Sequence, residues 1–243
     1  MIIISGCSWS LGEWDVNHAS ELKISPLQHG GLGQYIQESG KTVLNLGIQA
    51  GSNLQAAKRV QTWLERHPDE PIDKIIMFQT EWDRDYKMIF EDDFLHITDA
   101  HSLPDRWTAR YYSRLSELAT LGRCPVILVG GLADTIWLDD FSREYSGVHL
   151  ACQSMTNLVI TGNDRVDMPV LSWYTKYSPP LIKKIRSHLT NEQVPELLDM
   201  VDLGFERENW VFQHPEMFWP DGNHPNRHAH RKLYDFLIAH KYL

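Results

Sequence analysis

The opening stretch MIIISGCSWS, residues 1–10, decides how the rest of the chain is read. Ile2, Ile3 and Ile4 form a short β-branched run that ends at Gly6, the pattern of a buried strand running into a turn. Ser8 stands just past that turn. A serine between a buried strand and a helix has an exposed hydroxyl, and nearby backbone N–H groups can face a developing oxyanion. The G-x-S-x-G elbow pattern is not met, because position 10 is serine. A lone G-x-S triplet is also an ordinary turn, so Ser8 needs support from elsewhere in the chain. Ser10 reads as a helix N-cap rather than a second nucleophile.

Working outward, the same pattern recurs. VLNL (43–46) stops at Gly47, KIIMF (74–78) leads into a polar burst, and PVILV (125–129) closes on Gly130-Gly131. Between these runs lie helical patterns. In 53–66, Leu54, Ala57, Val60, Trp63 and Leu64 share one face. In 108–121, Tyr111, Tyr112, Leu115, Leu118 and Ala119 do the same, with Gly122 placed as a C-terminal cap. Strand alternating with helix predicts parallel strands joined by crossovers, hence a doubly wound α/β sheet with helices on both faces. In such sheets, sites gather beyond the carboxyl ends of the strands. Residues 84–107 and 131–178 lack clean periodicity and read as insertions over that edge. Ala229, Leu233, Phe236 and Leu237 mark a last helix, with Pro225 suited to its first turn and His224 at its N-terminal mouth. No repeat, linker or low-complexity segment appears, so residues 1–243 are expected to form a single domain.

Composition narrows the function classes. The chain has 243 residues, 42% hydrophobic with nine tryptophans, ample for a buried core. A formal charge of −9 argues against a nucleic-acid partner, which would need clustered Lys and Arg. Cys7, Cys124 and Cys152 match neither a disulfide framework nor a zinc spacing and fit a reducing compartment. The N-terminus lacks a basic leader, and no apolar run approaches the ~20 residues that span a bilayer. A cytoplasmic protein without a membrane partner is expected; the sequence does not speak to oligomeric state.

Polar residues gather where the sheet predicts a site. NLGIQAGSN (45–53) follows the second strand and QTEWDRD (79–85) the third, while DGNHP (221–225) opens the last helix. Glycines such as Gly51 permit close backbone approach and leave N–H groups free. Asp221 lies three residues before His224, a spacing that suits a carboxylate orienting a general-base imidazole. A capped helix start that happens to contain a histidine is the plainer alternative. His224, His228 and His230 with Asp221 also suggest a metal, but on a helix His228 and His230 point about 200° apart. No metal and no cofactor are therefore expected, and His228 and His230 read as surface residues.

Taken together, these blocks resemble the SGNH/GDSL hydrolases, a flavodoxin-like α/β group of esterases, lipases and deacetylases. Gly6-Cys7-Ser8 is similar to the family's Gly-Asp-Ser triplet. Asp221-Gly222-Asn223-His224, followed by Pro225, meets its Asp-x-x-His block, and Asn45-Leu46-Gly47 with Gly51 approximates its glycine block. The resemblance implies Ser8 as nucleophile, His224 as base and Asp221 as its orienting acid, with the N–H groups of Ser8 and Gly51 lining an oxyanion hole. Two positions depart from the family. Cys7 replaces an aspartate, and Glu81, in Gln79-Thr80-Glu81-Trp82, falls nearest the place of an oxyanion-donating asparagine. A carboxylate cannot donate a hydrogen bond; Asn53 and Gln79 are the candidates to supply the missing donor. The implied function is a serine esterase or deacylase acting on a small or carbohydrate O-acyl ester. Alternatives are an acyltransferase using the same acyl-enzyme, or an impaired hydrolase fold that binds a sugar against Trp9, Trp82 or Trp219. For any one of these tryptophans, filling the core is the plainer reading.

Overall fold

A computed structural model describes residues 1–14, 27–85, 102–135, 144–166, 211–218 and 224–243. The isoleucine run folds as strand β1 (Ile2–Ser5), followed by the helical turn α1 (Ser8–Leu11). A short antiparallel pair, β2 (Glu13–Trp14) and β3 (Leu27–His29), leads into helix α2 (Gly31–Glu38). Next come β4 (Val43–Asn45), α3 (Asn53–Arg66), β5 (Lys74–Gln79) and a 3-10 turn (Trp82–Asp85). Helix α4 (Ser102–Gly122), strands β6 (Val126–Gly130) and β7 (Val148–Cys152), and helices α5 (Met155–Thr161) and α6 (Arg227–Ala239) follow. The central sheet has the order β4-β1-β5-β6-β7 with every pairing parallel. Counting only its own strands, this is the flavodoxin-like order 2-1-3-4-5.

Alternation along the strands creates a core on each face. Ile3, Ile75, Met77, Val126 and Leu128 pack with Leu54, Ala57 and Val60 of α3 and Tyr111, Leu115 and Leu118 of α4. Ile2, Ile4, Ile76, Phe78, Ile127 and Val129 pack on the opposite side with Leu32 and Ile36 of α2, Met155 and Leu158 of α5, and Leu233 and Leu237 of α6. Ile2, Ile3 and Ile4 are all completely buried, as expected of strands covered on both faces. Each such side chain contributes roughly 1.5–3 kcal/mol.

Several local expectations are corrected. The stretch 131–178 supplies the fifth strand of the sheet, β7, and helix α5, so it is not simply an insertion. The part of 84–107 before the start of α4, from residue 86, lies outside the described residues. Gly122 is not a cap, because α4 runs through it and the left-handed residue is Arg123, with φ of 51°. A Cβ at Gly122 would lie 3.1 Å from Cys124 Sγ and 3.2 Å from Ile75 Cδ1, so its smallness serves packing. Ser10 is not an N-cap either; it lies inside α1 and its Oγ donates to the Cys7 carbonyl at 2.8 Å. Pro225 precedes the first turn of α6 and bridges to Phe218. The cap is Asn226, whose side chain accepts from the N–H groups of His228 and Ala229. His228 is exposed as expected, but His230 is fully buried, on the stripe of α6 that also carries Leu233 and Leu237.

Candidate active site

The register of the sheet brings the first site block beside the third. Ser5 of β1 lies opposite Met77 of β5, so Gly6-Cys7-Ser8 and Gln79-Thr80-Glu81 leave neighbouring strands over the same edge. The crossing is tight at Gly6. Its φ is +150°, and a Cβ there would stand 2.7 Å from both the Phe78 Cβ and the Phe78 carbonyl oxygen. Only glycine fits both the backbone angle and the space. Ser8 then begins α1, 6% exposed.

Across the chain, His224 arrives from the loop ahead of α6, and its Nε2 lies 2.8 Å from Ser8 Oγ. A latch fixes the start of that helix. Glu13, on β2 just beyond α1, accepts the Arg227 backbone N–H at 2.6 Å. It also accepts Arg227 Nε and Nη2, each at 2.9 Å. Burial pushes the Glu13 carboxyl up, yet the hydrogen bonds and charge of Arg227 prevail and hold it below the usual carboxylate range. Ser8 and His224 are therefore tied together through their own elements as well as by direct contact. Asp221 lies outside the described residues.

The third block is ordered by buried hydrogen bonds. Asn53 Oδ1 accepts the Thr80 N–H at 2.8 Å, and Asn53 Nδ2 donates to the carbonyls of Thr80 at 3.0 Å and Glu81 at 3.2 Å. Asp85 Oδ1 accepts the Leu54 N–H at 2.9 Å, and its Oδ2 accepts Trp107 Nε1 at 2.8 Å. Burial raises the Asp85 carboxyl, opposed by these hydrogen bonds. Glu81 is 1% exposed. The Thr80 hydroxyl donates to its Oε2. Arg84 Nε lies 2.6 Å from the same oxygen, and Arg84 Nη2 donates to Oε1 at 3.3 Å.

These contacts bear on the roles expected for six residues. The Gly51 N–H donates to the Ile48 carbonyl at 3.0 Å and so is committed to its own turn. The Asn53 amide is used in holding Thr80 and Glu81. Gln79 Nε2 donates to the Asp134 carbonyl at 3.1 Å. Trp82 is 5% exposed and belongs to the core under α3 and α4; Trp9 is 1% exposed, in the core of the opposite face, with its ring centroid 6.0 Å from Phe218. Neither ring offers a face to a sugar, and Trp219 lies outside the described residues. Glu81 stands beside the site as a paired carboxylate.

Cys7, next to Ser8, is completely buried. Burial raises its thiol pKa, with Arg84 pulling it down and Glu81 pushing it up. It stays a thiol, so Ser8 is the nucleophile candidate of this turn. Among the described residues no cluster of His, Cys, Asp and Glu is arranged to hold a metal ion. Sequence reading missed Arg84 and the Glu13–Arg227 latch. The spacing of Glu81 and Arg84, three apart in a polar segment, was an available signal for the first; nothing local signals the second.

No family model matches this chain, and no curated protein matches it by sequence. Solved structures do resemble it. The psychrotrophic esterase EstA from Pseudoalteromonas sp. is 14% identical, with 99% of this chain and 97% of that one covered at a TM-score of 0.43. The acetylxylan esterase Axe2 from Geobacillus stearothermophilus is 15% identical over 98% of this chain and 92% of its own, at 0.41. TesA is 13% identical over 98% and 96%, at 0.42. At such identities and scores, the chemistry of this chain has to be read from its own residues.

Proposed function

We propose that the chain is a serine esterase acting on small O-acyl esters. The observation that carries this reading is the 2.8 Å contact between Ser8 Oγ and His224 Nε2 at the carboxyl edge of a parallel sheet. Ser8 Oγ attacks the ester carbonyl carbon while its proton passes to Nε2, and the carbonyl π pair moves onto oxygen. The tetrahedral adduct collapses, the C–O bond to the alcohol breaks, and the departing oxygen takes the proton from His224. Water, deprotonated by the same ring, then releases the acid and restores Ser8. Asp221 is assigned the Nδ1 side of the imidazole, where a carboxylate fixes the tautomer and stabilises the imidazolium. As the first residue of a helical turn, Ser8 has a backbone N–H without an intrahelical acceptor, suited to the oxyanion.

A fluorophosphonate probe is expected to label Ser8, and Ser8→Ala to abolish both labelling and hydrolysis of p-nitrophenyl acetate. The loss should be on the order of 10⁶ in turnover, as for a nucleophile that acts as a unit with its base. Asp221→Asn is expected to lower kcat by about 10⁴. Label on Cys7 or Ser10, or turnover that survives Ser8→Ala, overturns the assignment.

A further inference from the structure

We infer that Asn45 is a positioning residue for the nucleophile, holding the turn that carries Ser8; this rests on the serine-esterase reading above. Helix α1 is four residues long, a single turn, and its N-cap residue Cys7 makes no side-chain cap. One turn of helix gains too few hydrogen bonds to offset the ordering of its backbone. Ser8 is therefore held by what surrounds the turn. Inside it, the Ser10 N–H and Oγ both donate to the Cys7 carbonyl, at 3.0 and 2.8 Å. Outside it, the segment that leaves β4 grips the turn on either side of Ser8. The Ile48 N–H donates to the Gly6 carbonyl at 2.9 Å, two residues before the nucleophile. Asn45 Nδ2 donates to the Ser10 carbonyl at 2.7 Å, two residues after it.

Asn45 is itself fixed on both sides. It ends β4 and pairs with Ile4 of β1, the strand that feeds the nucleophile turn. Its Oδ1 accepts the Gly47 N–H at 2.9 Å. Turning the amide over would set its oxygen against the Ser10 carbonyl and its NH₂ against the Gly47 N–H. Only one orientation satisfies both ends. Gly47 lets the two segments close, since a Cβ there would stand 2.3 Å from Ser10 Oγ and 2.9 Å from Leu11 Cδ2. Without the Asn45 donor the far end of the turn is released, and with it the 2.8 Å approach of Ser8 Oγ to His224 Nε2. A displacement of about 1 Å between reacting groups can cost about 10² in rate.

Asn45→Asp tests the clamp at nearly constant shape, since the carboxylate still accepts from Gly47 but turns an oxygen towards the Ser10 carbonyl. It is expected to lower kcat on p-nitrophenyl acetate by about 10–10², with KM changed less than about threefold. The rate of fluorophosphonate labelling at Ser8 should fall by about the same factor, because the reactivity of the serine itself has changed. Asn45→Ala removes the donor without adding charge. It should show the same split, and it reads the clamp if the first variant does not fold. Val60→Ala, a truncation in the core under α3, is the control for stability alone. It should lower the urea midpoint and leave both rates near wild type. The inference is overturned if a folded Asn45 variant keeps kcat within about threefold of wild type, or loses only in KM. It is equally overturned if Val60→Ala slows labelling as much, or if neither Asn45 variant folds, since the role is then structural. Labelling of the wild type at Ser8 is measured in parallel. Its failure overturns the esterase reading and this inference together, whereas labelling with flat Asn45 kinetics overturns this inference alone.

Discussion

At Cys7 a single position shows why this site departs from the Gly-Asp-Ser triplet it resembles. The side chain is completely buried and feels both Glu81 and Arg84. An aspartate there would place a second carboxylate beside Glu81, whose two oxygens already share one guanidinium. Cys7→Asp is expected to destabilise the fold by about 3–5 kcal/mol, the cost of an uncompensated buried charge. Cys7→Ala should cost only about 1–2 kcal/mol. Urea midpoints of the two variants check this, and equal stability would mean that the site tolerates two acids. Ser8 and His224 are legible in the sequence because each sits in a local pattern, a strand-to-turn serine and an Asp-x-x-His before a helix. The use made of Gly51, Asn53 and Gln79 is not legible. Their hydrogen bonds go to Ile48, to Thr80 and Glu81, and to Asp134, and nothing in their own segments selects those partners.

Among the elements, α6 has the most demanding task, since the loop ahead of it must hold an imidazole against a serine more than two hundred positions away in sequence. Its start is pinned to β2 by Glu13 through three contacts to Arg227. Glu13→Gln keeps one acceptor oxygen but loses the charge and half of the fork. Small misplacements of reacting groups can cost up to about 10² in rate, so a drop in kcat of roughly tenfold is expected, with KM little affected. Steady-state kinetics on p-nitrophenyl acetate measure it; unchanged kcat would show that Asn226 and the core contacts of α6 suffice. Four of the five strands in the central sheet are legible as apolar runs, because strands covered on both faces need no polar alternation. The fifth, β7, is interrupted by the exposed His149 and owes its strand conformation to pairing with β6. The site-positioning latch is equally hidden, since it joins residues from opposite ends of the chain.

For the molecule as a whole, the core on the α6 face carries an acid-sensitive weakness. His230 is fully buried with Phe78 and Gly31 against it, and neither ring nitrogen has a hydrogen-bond partner among the described residues. Burial drives its pKa down from 6.5 to about 3, helped by the charge of nearby His29 and opposed by Glu13. In the unfolded chain the ring protonates near 6.5. Between those values the unfolded state binds the extra proton, so stability rises with pH and is lost as pH falls below about 6.5. Glu13 adds a second loss further down. Its folded pKa is lowered from 4.5, so its contribution is present above that value and disappears as pH falls through the folded pKa. His230→Leu keeps an apolar side chain in the stripe with Leu233 and Leu237 and removes the first loss only. The stability of wild type relative to this variant should be level above pH 7 and then fall by up to about 1.4 kcal/mol per pH unit from pH 6 towards pH 4. Urea unfolding of both proteins at half-unit steps across that range measures the difference. If the two curves run parallel from pH 7 to pH 4, His230 takes up its proton in the folded protein and the burial argument fails. If they diverge, a surface histidine by composition is, by its place on α6, part of what sets the acid limit of the fold.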